Sequence, residues 1–317
     1  MYISISQSEF KSSNQRNIVK VRGYNLTKES LKAIIVVLHG MTECKELYSE
    51  FAEYLAKNNY GVITYDHIGH GASINTKDDR GFFSNDKGYR YLIEDLKHVI
   101  QEAKKFNLPV FLFGHSMGSL VSRCYVAETN EKEIAGLILC GTIGQQWAID
   151  GAIQFAEYMI EKKGPRYRSR KLNQLVTTVS SWKFEKMTDH LEWITRDKEY
   201  IKKVKDDEKM NYIFTATGFR DIFTLTKIAG QKETIDKIPK DLPILMVSGS
   251  DDILGEYGEG PKRLEQAYKK SNIKDVTLKL YQDYRHNIMQ DLDREVVMKD
   301  VYDWIEVVRI ARQGEKI

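Results

Sequence analysis

With 317 residues the chain can bury a large core, and one domain carrying a sizeable insertion suits that length as well as two domains would. A hydrophobic share of 42% against 29% charged residues is ordinary for a globular protein, and a net charge of +3 is too small to argue for a nucleic-acid partner. The Met1–Phe10 start has no basic head or apolar run of signal length, and no stretch of about 18 apolar residues could span a membrane, so a soluble cytoplasmic protein is expected.

The first half alternates short apolar runs with helical periodicity. Ala33–Leu38 is a continuous apolar run, the mark of a strand covered on both faces, and it ends at His39-Gly40. Leu47, Phe51, Tyr54 and Leu55 then recur at helical spacing until Gly61, and Val62–Tyr65 follows as a second strand. Leu92, Leu96, Val99, Ile100 and Ala103 stripe the next helix. Pro109–Phe113 is a third strand, Met117, Leu120, Val121 and Cys124 stripe the helix after it, and Ile134–Cys140 is a fourth strand. Strand and helix alternating at this spacing imply βαβ units and a parallel sheet.

From Gly141 to Lys240 the pattern turns helical, rich in aromatics and lysines, with no clear buried strand. Alternation resumes with a strand at Ile244–Val247, a helix through Arg263–Tyr268, a strand at Val276–Tyr281 and a terminal helix striped by Val297, Val301, Trp304, Ile305 and Val308. The reading is a doubly wound α/β core over residues 1–140 and 241–317, its mostly parallel central sheet flanked by helices, interrupted by an inserted helical cap over 141–240. There is no internal repeat and no low-complexity tract. Three cysteines (Cys44, Cys124, Cys140) without CxxC spacing suggest neither a disulfide framework nor a zinc site.

Gly114-His115-Ser116-Met117-Gly118 matches G-x-S-x-G and stands between an apolar strand and an amphipathic helix. That strand-turn-helix context is what the nucleophile turn of an α/β-hydrolase fold requires, because side chains at the two glycines would clash in so sharp a turn. Ser116 is therefore the candidate nucleophile. A tetrahedral acyl-transfer intermediate also needs two fixed N–H donors for its oxyanion. Met117 supplies one as the residue after the serine, and Met41, in the turn directly after the Ala33–Leu38 strand, is the natural second.

Leu38-His39-Gly40-Met41-Thr42-Glu43, then Asp66-His67-Ile68-Gly69-His70-Gly71-Ala72-Ser73, then Gly114–Gly118 occur in order at familiar separations. Together they resemble the monoacylglycerol lipase and lysophospholipase branch of the α/β-hydrolases, a serine aminopeptidase-type group that reads HGxxEH, DxxGHGxS and GHSMGG. Cys44 stands where a histidine is usual and Ser119 where a second glycine is usual, and both substitutions bear on the pocket wall. The Asp66–Ser73 segment is read as a polar turn shaping the rim of the site.

The base must titrate near neutrality, which makes it a histidine. His39 and His115 belong to the two turns, His67 and His70 to the polar segment, His98 to a helix and His190 to the cap. His286, in a loop just past the last strand, fits the chain order serine, acid, histidine. The acid belongs after the Ile244–Val247 strand, where Asp251 and Asp252 are adjacent and only one can face the imidazole. The family pattern G-x-x-D-x-x-V puts it on Asp252. The loop after Ile134–Cys140 carries no carboxylate.

The cap holds Trp147, Phe155, Tyr158, Met159, Trp182, Phe184, Trp193, Tyr212, Phe214, Phe219 and Phe223, part of them a small core of its own and part suited to an apolar acyl tunnel. Trp193–Asp197, Phe214–Phe219 and Leu254–Gly260 also resemble bacterial lysophospholipase-like members, which extends the resemblance over about residues 18 to 310. Gly40, His115, Trp193 and Phe219 are the candidate substrate-contacting residues. A basic run, Lys162, Lys163, Arg166, Arg168, Arg170 and Lys171, reads as a solvated face or as transient contact of the cap with anionic lipid headgroups.

The expected activity is hydrolysis of a small-molecule acyl ester, a monoacylglycerol or lysophospholipid, through an acyl-enzyme, with no metal or organic cofactor. A short-chain esterase is the alternative within the class. An N-terminal, proline-type aminopeptidase shares the fold and would need an acidic pocket, for which Glu161, Glu185 and Glu192 are the cap's candidates. A non-catalytic binding protein on this scaffold usually lacks a triad member, and none is missing here. Oligomeric state leaves no mark in the sequence.

Overall fold

The computed structural model describes residues 2–129, 134–144, 148–177 and 191–314. Trp147, Trp182, Phe184, Glu185 and His190 of the expected cap lie outside the described residues.

Strands β1 (Ile5–Lys11), β2 (Ile18–Tyr24), β3 (Ile34–Leu38), β4 (Gly61–Tyr65), β5 (Val110–His115), β6 (Ile134–Cys140), β7 (Ile244–Gly249) and β8 (Val276–Tyr281) form one sheet in the order β1-β2-β4-β3-β5-β6-β7-β8. From β4 to β8 every pairing is parallel, whereas β1 pairs with β2 and β2 with β4 antiparallel. Side chains alternate across the sheet. Ile34, Val36, Leu38, Val110 and Leu112 face α2 (Gly88–Lys104) and α3 (Met117–Thr129). Ile35, Val37, Phe111 and Phe113 face α1 (Ser49–Lys57) and α10 (Arg294–Gly314). Both sheet faces are thus covered, which is why the central strands read as unbroken apolar runs. Cys44, Cys124 and Cys140 are free thiols buried in these two layers.

Between β6 and β7 lie α4 (Ile149–Lys163), α5 (Arg170–Thr177), α6 (Lys198–Asp206), α7 (Ala216–Gly230) and α8 (Lys232–Lys237); α9 (Glu259–Lys270) follows β7. The expectation of a separate small core for this insertion is corrected here. Phe214, Phe219, Phe223 and Leu225 join the same apolar cluster as α2 and α3, because α7 packs directly on those two helices. Among the described residues no helix is long and apolar enough to cross a membrane.

Register positions the site. Leu38 stands opposite Gly114, His115 opposite Cys140, and Cys140 opposite Val247. The loops that follow β3, β5, β7 and β8 therefore leave the sheet along one carboxyl edge, where open α/β sheets collect their chemistry.

Candidate active site

Ser116 sits in the turn between β5 and α3 with φ of 48°, in the left-handed region that a non-glycine residue rarely enters. The flanking glycines have no room for a side chain. A Cβ on Gly114 would meet the Gly118 carbonyl oxygen at 2.5 Å, and one on Gly118 would meet those of Leu38 and His39 at 2.6 and 2.8 Å. The Ser116 N–H is anchored on the Cys140 carbonyl (2.9 Å).

The structure brings Ser116, His286 and Asp252 together. His286 Nε2 lies 2.9 Å from Ser116 Oγ, and its Nδ1 lies 2.9 and 3.0 Å from the two Asp252 carboxylate oxygens. With Nδ1–H donating to the carboxylate, Nε2 is left as acceptor for the serine hydroxyl. Asp252 is fully buried and accepts the Leu254 N–H at 2.9 Å. Its neighbour Asp251 is half-buried, and its N–H donates to the Tyr284 carbonyl.

Met117 opens α3, where the first N–H groups have no partner inside the helix. Among the described residues no backbone hydrogen bond engages the N–H of Met41 or Met117, and both residues line the cavity over Ser116. The turn carrying Met41 is shaped from within. Glu43 accepts the Gly40 N–H at 2.6 Å, and Thr42 takes a φ of 58°.

That cavity, about 690 Å³ including its mouth, is walled by Leu120, Ile143, Val176, Ile194, Ile222 and Leu254, and Thr42, Glu43 and Tyr200 join Ser116, His115 and His286 in its polar part. Ile143, Val176, Ile222 and Leu254 also line a second apolar space of about 950 Å³, which extends under α4 and α5 to Phe155, Leu175 and Phe223. Trp193 lines the first cavity with its ring 5.3 Å from that of His286. His115 also reaches that cavity. Gly40 and Phe219 line neither: the Gly40 backbone is bonded inward to Glu43, and Phe219 is fully buried between Phe214 and Phe223. Phe219 is thus a packing residue, and its assignment to substrate contact is corrected.

Several polar residues prove more deeply placed than their sequence context implies. Asp66 is buried, pairs with Lys45 Nζ at 2.6 Å and accepts the Ala72 N–H at 2.9 Å, so the Asp66–Ser73 segment braces the interior rather than shaping a rim. His39, His67 and His70 cluster there, and burial lowers the pKa of each. Cys44 packs in the α1 layer, where burial pushes its thiol up to about 12. The Ser119 hydroxyl donates to the Ser116 carbonyl at 2.6 Å. Neither Cys44 nor Ser119 lines the cavity. In the basic run, Arg166 pairs with Asp79 at 2.9 Å and stacks on Phe82, and Arg168 donates to the Asp78 carbonyl, so both are engaged at the surface by the segment around Asp78 and Asp79.

Two features carry no clear sequence signal. Glu43 is a buried carboxylate; burial pushes its pKa up, but His115 and the Gly40 N–H outweigh that and hold it at about 2. Burial pulls the other way on His115, yet the Glu43 charge keeps its pKa raised. The second is a strap from the insertion that pairs with the histidine loop: the His286 and Asn287 N–H groups donate to the Trp193 and Ile194 carbonyls at 3.4 and 2.7 Å. Arg196 Nε ties the same strap to Asp291 at 2.9 Å.

The family model described as serine aminopeptidase, S33, matches residues 29–293. A monoglyceride lipase homolog of monkeypox virus is 25% identical over 281 residues, covering 86% of this chain and 89% of the relative. The monoglyceride lipase of Rattus norvegicus is 26% identical over 290 residues, covering 90% and 86%. Among solved structures, a thermostable carboxyl esterase from Bacillus coagulans in complex with glycerol superposes with a TM-score of 0.89 at 25% identity, covering 96% of this chain and 99% of the other. A soluble variant of the Saccharomyces cerevisiae monoglyceride lipase, bound to a substrate analogue, shares the fold with a TM-score of 0.76 at 19% identity, covering 97% and 96%.

Proposed function

Because the chain belongs to the serine aminopeptidase S33 family of α/β-hydrolases, we propose that it hydrolyses the carboxylic ester of a neutral monoacyl lipid, of the monoacylglycerol kind. Membership makes it an enzyme of the serine hydrolase type, and its monoglyceride lipase relatives make it a lipase or esterase. Ser116 attacks the ester carbonyl while His286 Nε2 takes its proton. Asp252 holds the imidazole and stabilises its cation. The N–H groups of Met41 and Met117 receive the oxyanion, the alcohol leaves with the proton from His286, and water activated by the same histidine releases the acid from Ser116. Residues 141–240 serve as the cap, whose inner wall receives the acyl chain.

One observation carries this reading: the Ser116–His286–Asp252 chain of hydrogen bonds opens into an apolar cavity that shares a wall with a second apolar space. No lysine or arginine lines the first cavity among the described residues, and its carboxylate, Glu43, is already bonded to protein donors. An uncompensated phosphate would be costly there, which favours a glycerol over a phosphodiester head group. The same bonded state of Glu43 argues against an aminopeptidase, which needs a carboxylate open to a substrate amine. Glu161 and Glu192 do not line the cavity.

The test is a fluorophosphonate probe followed by an ester panel from C2 to C16 with glycerol and phosphocholine head groups. Labelling lost in Ser116→Ala, with highest kcat/KM on a medium or long monoacylglycerol, is expected. Full esterase activity in Ser116→Ala would overturn the site, and preference for aminoacyl amides would overturn the substrate.

A further inference from the structure

Glu43 lies in the floor of the cavity and has no step in the reaction above. Its Oε2 accepts the Gly40 N–H at 2.6 Å and the Tyr48 hydroxyl at 2.8 Å, and lies 3.1 Å from His115 Nδ1. Its Oε1 accepts Asn287 Nδ2 at 2.6 Å. Three of these partners have something in common along the chain. Gly40 precedes Met41, His115 precedes Ser116, and Asn287 follows His286. Each therefore adjoins one group of the proposed machinery: an oxyanion donor, the nucleophile and the base.

We propose that Glu43 is a positioning residue, a single carboxylate whose hydrogen bonds to Gly40, His115 and Asn287 set the mutual spacing of the oxyanion turn, the nucleophile turn and the histidine loop. This rests on the ester-hydrolase reading of the site. Hydrogen bonds to a charged acceptor are about twice as strong as neutral ones, and a buried carboxylate that loses a donor keeps an uncompensated lone pair. The three loops are consequently held as a unit, and a displacement of one is resisted through the other two. His115 adds a cross-tie, with Nε2 3.4 Å from the His286 carbonyl oxygen. The arrangement is also sterically closed, because a Cβ on Gly40 would lie 2.9 Å from His115 Nδ1.

Two variants test it on the full chain. Glu43→Gln keeps the shape but turns an amide N–H₂ against either Gly40 or Asn287, both donors. Asn287→Ala removes the histidine-loop arm alone. With active sites counted by fluorophosphonate titration and monoacylglycerol as substrate, kcat per titrated site is expected to fall about 100-fold in Glu43→Gln and about tenfold in Asn287→Ala, the order of loss a misplacement of about 1 Å produces. KM should stay within about threefold, and the double variant should be no slower than Glu43→Gln. A role in folding alone lowers the melting temperature and the number of titratable sites and leaves kcat per site at the wild-type value; that result, or fully additive losses, overturns the proposal. Should Glu43→Gln not fold, Asn287→Ala decides by the same per-site measurement. If the wild-type chain neither labels nor cleaves esters, the functional reading fails instead.

Discussion

Asp221 lies where α7 of the insertion meets α2 of the core, and its side chain is almost fully buried. Its nearest cation, Arg220, is 3.4 Å away, and the N–H groups of Gly88 and Tyr89 at the start of α2 face it. Burial dominates over those partners and pushes the carboxyl from 3.8 up to about 7. The folded pKa is the higher one, so the folded chain holds a proton that the unfolded chain releases. Stability from this group is therefore complete below pH of about 4 and is lost as pH rises through about 7. At 1.36 kcal/mol per unit, the contribution falls by about 2 to 3 kcal/mol between pH 5 and pH 8. Asp221→Asn removes the titration. Urea unfolding of both proteins at the two pH values should show the variant gaining by that amount relative to wild type at pH 8. A difference between the two proteins that is the same at both values, within about 0.5 kcal/mol, would refute the linkage and the burial argument behind it.

Ile222→Trp fills the wall shared by the two cavities; kcat/KM should fall about fourfold for each methylene denied to the second cavity, with C2 and C4 esters unaffected, and a uniform loss across chain lengths would separate that cavity from the substrate. Asp252→Asn keeps the packing but loses the charge that orients the imidazole, so kcat should drop on the order of 10³- to 10⁴-fold with the circular dichroism spectrum unchanged; a tenfold or smaller drop would move the acid elsewhere. Gly118→Ala places a methyl group 2.6 Å from the Leu38 carbonyl oxygen, at a cost of about 1 to 3 kcal/mol in stability, and wild-type melting with wild-type activity would contradict the turn geometry.

The central parallel strands β3, β5 and β6 are legible in the sequence because burial on both faces makes them nearly unbroken apolar runs, whereas the edge strand β8 alternates apolar with exposed polar residues. The hairpin β1–β2 is not, since Ile5–Lys11 is almost wholly exposed and interleaves polar residues, so its strand conformation depends on pairing with β2. Ser116 can be picked out because it directly follows the apolar strand β5, and His286 because it lies in the loop past the last strand. Position alone leaves Asp251 and Asp252 open, and only the family pattern chooses between them; register then brings the three to one edge. Glu43 could not be given a role in that way: its partners His115 and Asn287 are 72 and 244 residues away, and only the folded chain reveals which donors surround it. Trp193 and Phe219 are equally aromatic in sequence. One lies over His286 and the other inside the α2–α3–α7 packing, because a helical stripe does not say which layer it will meet.

The strap ties the wall of the cavity to the proposed base. Trp193 and Ile194 present their side chains to the cavity, and their carbonyls accept the N–H groups of His286 and Asn287. Further along, Thr195 Oγ1 donates to the Gln290 carbonyl at 2.9 Å, and Arg196 holds Asp291 while stacking on Tyr284. A substrate that pushes on Trp193 or Ile194 therefore pushes on the peptide groups that orient the imidazole. From the opposite side the same loop is held by Glu43 through Asn287. His286 is thus clamped between an element that lines the cavity and one that carries the proposed oxyanion turn. Substitutions in this wall should consequently alter turnover together with substrate preference, whereas those lining only the second cavity should alter preference alone.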